Sequence, residues 1–159
     1  MPRYWLMKSE PNTYSIDDLR RDGGTCWEGV RNFQARNFMR DDMQVDDLAI
    51  FYHSNAKPAG AVGVARISRE GYADHHAVDP DSSYFDARAT PQKNPWVMVD
   101  LAFVERWADT VALAELKADP ALEGMLVIRR GQRLSVQPVE PEHFERVLAL
   151  GRAKGPVEG

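Results

Sequence analysis

Cysteine is nearly absent from this chain: Cys26 is the only one in 159 residues. A single thiol cannot close an internal disulfide or supply a Cys-based zinc cage. Long apolar runs are missing too. The longest uncharged stretch, Leu48 to Ala56, is nine residues, whereas a membrane-spanning helix needs about 20, so no membrane partner is expected. The N-terminus has no basic-then-apolar signal pattern, which points to the cytoplasm, or the nucleus in a eukaryotic cell. There is no GxGxxG or Walker loop for phosphates and no GxSxG nucleophile elbow. No cofactor is therefore expected, and the chain is read as something other than an enzyme.

What is present describes an ordinary globular domain. The chain is 43% hydrophobic and 28% charged, which excludes collagen, coiled coil and wholesale disorder. Its length suits one domain with its own core; residues 1–151 are assigned to it and 152–159 to a frayed tail. The net charge of −4 argues against indiscriminate nucleic-acid binding. Its distribution is uneven, at +2 over residues 1–40, −8 over 41–128 and +2 over 129–159. Fifteen of the 20 cations are Arg, whose planar fork suits phosphates.

Patterning predicts strands at Arg3–Lys8, Leu48–Tyr52, Ala61–Ile67, Val97–Phe103 and Arg133–Gln137, the second and third forming a hairpin. Gly63 marks a bulge or a close contact. Ser15 with Asp18 has capping-box spacing for a short helix stopped by Gly23-Gly24. Asn32 caps a helix over Phe33–Met39, Thr110 caps another, and Pro141 opens a last helix with an apolar stripe through Phe144, Val147 and Leu148. Residues 72–95 read as a long polar loop. No βαβ rhythm is visible, so the fold class is α+β: a mixed or mostly antiparallel β-barrel with short peripheral helices.

Catalytic readings are thin. Asp74-His75-His76, with Asp79 and Asp81, allows a metal-dependent nucleotide hydrolase, but the other Asp- and His-bearing motifs of such enzymes are missing. A protein-interaction scaffold built on the 72–95 loop is a further alternative. Binding readings are richer. Lys8-Ser9, Trp27 to Asn32, His53-Ser54-Asn55 and Trp96 each put an indole or hydrogen-bonding groups at the end of a core element. Convergence of those ends would form a slot for a flat heterocycle stacked on indole. Trp5 and Trp107, in apolar runs, are expected in the core. Lys8, Arg31, Arg36 and Arg40 would contact phosphates near the slot, with Arg129, Arg130 and Arg133 extending that face.

The ordered segments YWLMKSEP at 4–11, WEGVRNFQARNFMR at 27–40, IFYHSN at 50–55, GVARI at 63–67, YFD at 84–86, WVMVDL at 96–101 and RLSVQPV at 133–139 resemble the EVE domain family. That family is a branch of the PUA-like superfamily related to YTH domains. The resemblance implies a PUA-like pseudo-barrel and a non-catalytic pocket for a modified base, for example methylated cytosine or adenine, in DNA or RNA. By motif position it implies Trp27 and Trp96 as facing walls and Ser9 and Asn32 as edge readers, with His53, Ser54 and Asn55 nearby. Residues 75 and 76 depart from the pattern, which supplies only Asp74.

Overall fold

The computed structural model describes residues 3–159. Six strands form one mixed sheet: β1 (Tyr4–Ser9), β2 (Gly24–Trp27), β3 (Leu48–His53), β4 (Gly60–Ala73), β5 (Val97–Ala112) and β6 (Val136–Val139). Their spatial order is β2-β5-β4-β3-β1-β6. The β1–β3 pair is parallel and in register from Tyr4–Leu48 to Ser9–His53; the other pairings are antiparallel. Four short helices surround the sheet: α1 (Ile16–Asp22), α2 (Phe33–Asn37), α3 (Leu113–Ala118) and α4 (Pro141–Arg152). This is the expected α+β architecture, a mixed β pseudo-barrel with short peripheral helices.

Side-chain alternation explains the unbroken apolar runs. On β1, Trp5 and Met7 join one core cluster with Trp27, Phe51 and Val136. Leu6, between them, joins another with Ile50, Trp107 and Phe144. Both faces of the strand are buried, so both periods-of-two must be hydrophobic. Trp5 and Trp107 are core residues, as expected.

Gly63 meets its sequence reading. A Cβ there would lie 2.3 Å from the Glu105 carbonyl oxygen, and the β4–β5 register shifts between Ala61 and Gly63. The Ser15 cap and its reciprocal Asp18 bond are formed, and Gly23 ends α1 at φ 77°. Asn32 caps α2 through Ala35 N–H, but the α-helix gives way to a π-turn at Phe38–Asp42.

Three expectations need correction. β5 runs on to Ala112 because Val111 and Ala112 pair with Ala61 and Gly60, so Thr110 lies in the strand and caps nothing. The segment expected to fray is held: α4 continues through Arg152, and Glu158 exchanges backbone hydrogen bonds with Arg106 at 2.7 and 3.0 Å. The 72–95 stretch is partly strand, since β4 extends to Ala73. No helix among the described residues is long and apolar enough to cross a membrane.

Candidate nucleobase site

A cavity of about 470 Å³ opens where the ends of the strand order approach one another. Lys8 and Ser9 at the end of β1 and Ser135 just before β6 form one side; Thr25, Cys26 and Trp27 of β2 form the other. Glu10, Thr13, Tyr14, residues 28–32 and Tyr84 complete the wall. The size is that of a small-molecule site.

Trp27 is the indole of this cavity. It is only 8% exposed and stands edge-on to Phe51, with ring centroids 5.6 Å apart. It therefore belongs to the core as well as to the wall. The Ser9 hydroxyl donates to the Tyr14 carbonyl at 2.6 Å. Asn32 lines the cavity while its Oδ1 accepts from Ala35 N–H at 3.0 Å, leaving the amide NH₂ as the group it can present. Tyr14 donates to Asp22 at 2.8 Å; burial and that bond push its hydroxyl up to about 12.

The His53-Ser54-Asn55 turn is placed behind the cavity rather than on its surface. Ser54 N–H donates to the Ser9 carbonyl at 3.0 Å, which steadies the end of β1. Asn55 is exposed in the left-handed region at φ 50°. His53 Nε2 accepts from Ile16 N–H at 3.1 Å, tethering the start of α1. Burial lowers the His53 pKa, against a smaller opposing pull from Asp17 and Asp18. Protonation destroys the acceptor. The stabilisation is thus fully present above the unfolded histidine value of about 6.5 and is lost as pH falls through the lower folded value. We expect the fall in melting temperature between roughly pH 7.5 and pH 5 to be smaller in His53→Gln than in the wild type. Equal falls would show that His53 does not titrate in this way.

Trp96 corrects the picture of two facing indoles. It is 2% exposed and clusters with Ala77 and Ala89 beneath the loop that follows β4. Its Nε1–H donates to Asp86 at 2.8 Å, and its ring stacks on Phe33 at 4.8 Å. Asn94 accepts its backbone N–H at 3.0 Å. These partners turn it toward a separate recess of about 320 Å³, which it shares with Arg31 and Tyr84. Tyr84 lines both spaces and, with Tyr14, adds an aromatic side chain to the wall of the Trp27 cavity. Only the YFD segment at 84–86 had hinted at it.

Of the arginines expected beside the cavity only Arg31 lines it, and all three are already engaged. Arg31 donates to Asp74 at 3.0 Å and to the Tyr84 carbonyl at 2.6 Å. Arg36 donates to the Pro95 carbonyl at 2.8 Å and lies over Phe33. Arg40 forks onto Asp41 at 2.7 and 2.9 Å. Lys8 does line the cavity, its pKa lowered by burial. Arg129, Arg130 and Arg133 are exposed, and Arg129 borders a different cavity, beside Tyr4 and Trp5.

Asp74 is fully buried. It accepts from His76 N–H at 2.9 Å, Gly29 N–H at 3.1 Å and Arg31. That carboxylate is spent on structure, so the hydrolase constellation of Asp74, His75 and His76 loses its first ligand. The three side chains that do converge are Cys26, Glu28 and His76, whose ligating atoms lie within 4.8 Å of one another. Burial and the Glu28 charge raise the Cys26 thiol to about 11, so at neutral pH it is a protonated donor, 3.4 Å from Glu28.

The model of the EVE domain matches residues 3–150. The chain belongs to the EVE domain family. Thymocyte nuclear protein 1 of Rattus norvegicus is 39% identical to this EVE domain over 97% of the chain and 76% of its own length. The human THYN1 protein, crystallised in complex with 5-methylcytosine-containing DNA, superposes with a TM-score of 0.88 at 39% identity, covering 97% of this chain and 99% of that one. A structure from Pseudomonas syringae gives a TM-score of 0.90 at 47% identity, covering 92% and 98%.

Proposed function

We propose that this EVE domain is a non-catalytic module that binds DNA carrying a methylated base, and that the base enters the cavity walled by Trp27. The observation that carries the reading is that cavity: one indole, two further aromatics in Tyr14 and Tyr84, and polar and charged side chains around them, at the open seam of the sheet. The human relative's complex with 5-methylcytosine DNA supports the choice of ligand. A flat ring gains dispersion and desolvation against indole, and a methyl group adds apolar area to that contact.

The test compares binding of duplexes with and without one 5-methylcytosine, by fluorescence anisotropy, in the wild type and in Trp27→Leu. Leucine keeps an apolar side chain in the core, at the cost of a small cavity, and removes the flat wall. Loss of one base–aromatic stack, worth about 1–3 kcal/mol, weakens binding of the methylated duplex by roughly 5- to 150-fold. A Trp27→Leu protein that melts normally and binds as the wild type does would overturn the reading.

The engaged arginines make a second prediction. If only Lys8, Arg129, Arg130 and Arg133 meet phosphates, the slope of log affinity against log salt is no steeper than about −4, because each neutralised phosphate contributes about −0.9. A slope of about −6 or beyond would mean that Arg31, Arg36 and Arg40 leave their present partners on binding.

A further inference from the structure

The polar groups around the Trp27 cavity differ in how much capacity they retain. The hydroxyls of Ser9, Tyr14 and Thr25 each donate to a protein oxygen, Arg31 is held by Asp74 and Tyr84, and Asn32 Oδ1 is held by Ala35. Open capacity remains on the side chains of Glu10, Thr13, Tyr84, Ser135, Glu28 and Asn32. Of the two carboxylates, Glu10 is exposed, whereas Glu28 is half-buried and directly follows Trp27. Glu28 offers carboxylate lone pairs, with one oxygen accepting from the Cys26 thiol at 3.4 Å and a carboxylate oxygen within 4.8 Å of a His76 ring nitrogen, and Asn32 offers its amide NH₂. One is an acceptor and the other a donor, and both border the same space.

That polarity distinguishes two bases that stacking cannot. 5-Methylcytosine and thymine share the pyrimidine ring and the 5-methyl group, so Trp27 and Tyr84 reward them alike. They differ on one edge. 5-Methylcytosine presents an amino donor at C4 and an acceptor at N3; thymine presents an acceptor at C4 and a donor at N3. A carboxylate accepts well from the cytosine amine and repels a carbonyl oxygen placed at the same point. Resting on the base-cavity reading above, we propose that Glu28 is the specificity-determining residue of this cavity, accepting from the exocyclic amine so that 5-methylcytosine is chosen over thymine. Asn32 NH₂ then serves an acceptor on the same edge. In Glu28→Gln the neutral amide can donate to the thymine O4, so exchanging one carboxylate oxygen for NH₂ should remove the choice.

The experiment uses the full chain and Glu28→Gln, with three duplexes identical except for 5-methylcytosine, cytosine or thymine at one position. Each target lies opposite an abasic site, so no base pair is broken and pairing strength does not enter. The wild type should prefer 5-methylcytosine over thymine by about 10-fold or more, the range expected of a good edge contact. In Glu28→Gln that ratio should fall to within about 3-fold, while the ratio of 5-methylcytosine to cytosine, which reports the methyl on the aromatic wall, stays as in the wild type. The unchanged methyl ratio also certifies that the variant's cavity is folded. A variant that keeps both ratios overturns the assignment of Glu28 and leaves the cavity standing. A wild type that does not separate 5-methylcytosine from cytosine overturns the cavity reading and the assignment with it.

Discussion

Asp74→Ala should lower the unfolding free energy by about 3 kcal/mol and abolish binding of methylated DNA together. Removing one member of a buried ion pair typically costs about 3–5 kcal/mol. The lower end applies because the Arg31 side chain is 25% exposed and can recover some hydration. The carboxylate joins three segments: Gly29 after β2, Arg31 before α2 and His76 in the turn after β4. Once it is gone, Arg31 has no counter-charge to hold it against Tyr84, and both the Glu28 end of β2 and the Tyr84 wall are freed. Urea denaturation and anisotropy titration read the two effects separately. A loss below about 1 kcal/mol with binding intact would show that the ion pair is dispensable to the site.

Trp107→Ala should cost about 3–5 kcal/mol of stability, as large aromatic truncations in cores do, and leave DNA affinity within about 2-fold at temperatures where the fold is intact. Trp107 is 2% exposed and donates to Glu105 at 2.8 Å; Glu105 in turn receives Arg152 of α4 at 2.7 Å. Gly151 is bare because a Cβ there would come within 2.1 Å of the Trp107 ring. The indole is the anvil on which α4 is seated, in the cluster on the far face of the sheet from Trp27. Comparable losses of binding in Trp107→Ala and Asp74→Ala would mean that the two faces are not energetically separate.

How much of this was readable in the residues depended on what decided each element. β1 and β3 were legible because burial on both faces demands unbroken apolar runs, and α1 because Ser15, Asp18 and Gly23 are local devices that work through near neighbours. The far end of β5 was not legible. The alternation that predicts the strand stops at Phe103, and pairing with β4 keeps the more polar continuation to Ala112 extended. Trp27 and Trp96 look equivalent in sequence, each an indole at a strand end. Their fates were decided at a distance, by Phe51 for one and by Phe33 and Asp86 for the other. Arginine composition suggested a phosphate-binding row, but a count of charges does not say which are already answered, and Arg31, Arg36 and Arg40 are. Glu28 carries no local signal: inside WEGVRN it reads as one more surface acid, and only the fold brings it to the wall of the Trp27 cavity.

β2 and β6 close the list of strands at opposite extremes and pair with β5 and β1, not with each other. Among the described residues no main-chain ladder crosses the seam between them. On the base-cavity reading proposed above, a ring entering at this seam breaks no main-chain ladder, so guest exchange need not wait on partial unfolding. Amide hydrogens of β1, β3 and β4 should stay as protected during turnover of the guest as in its absence.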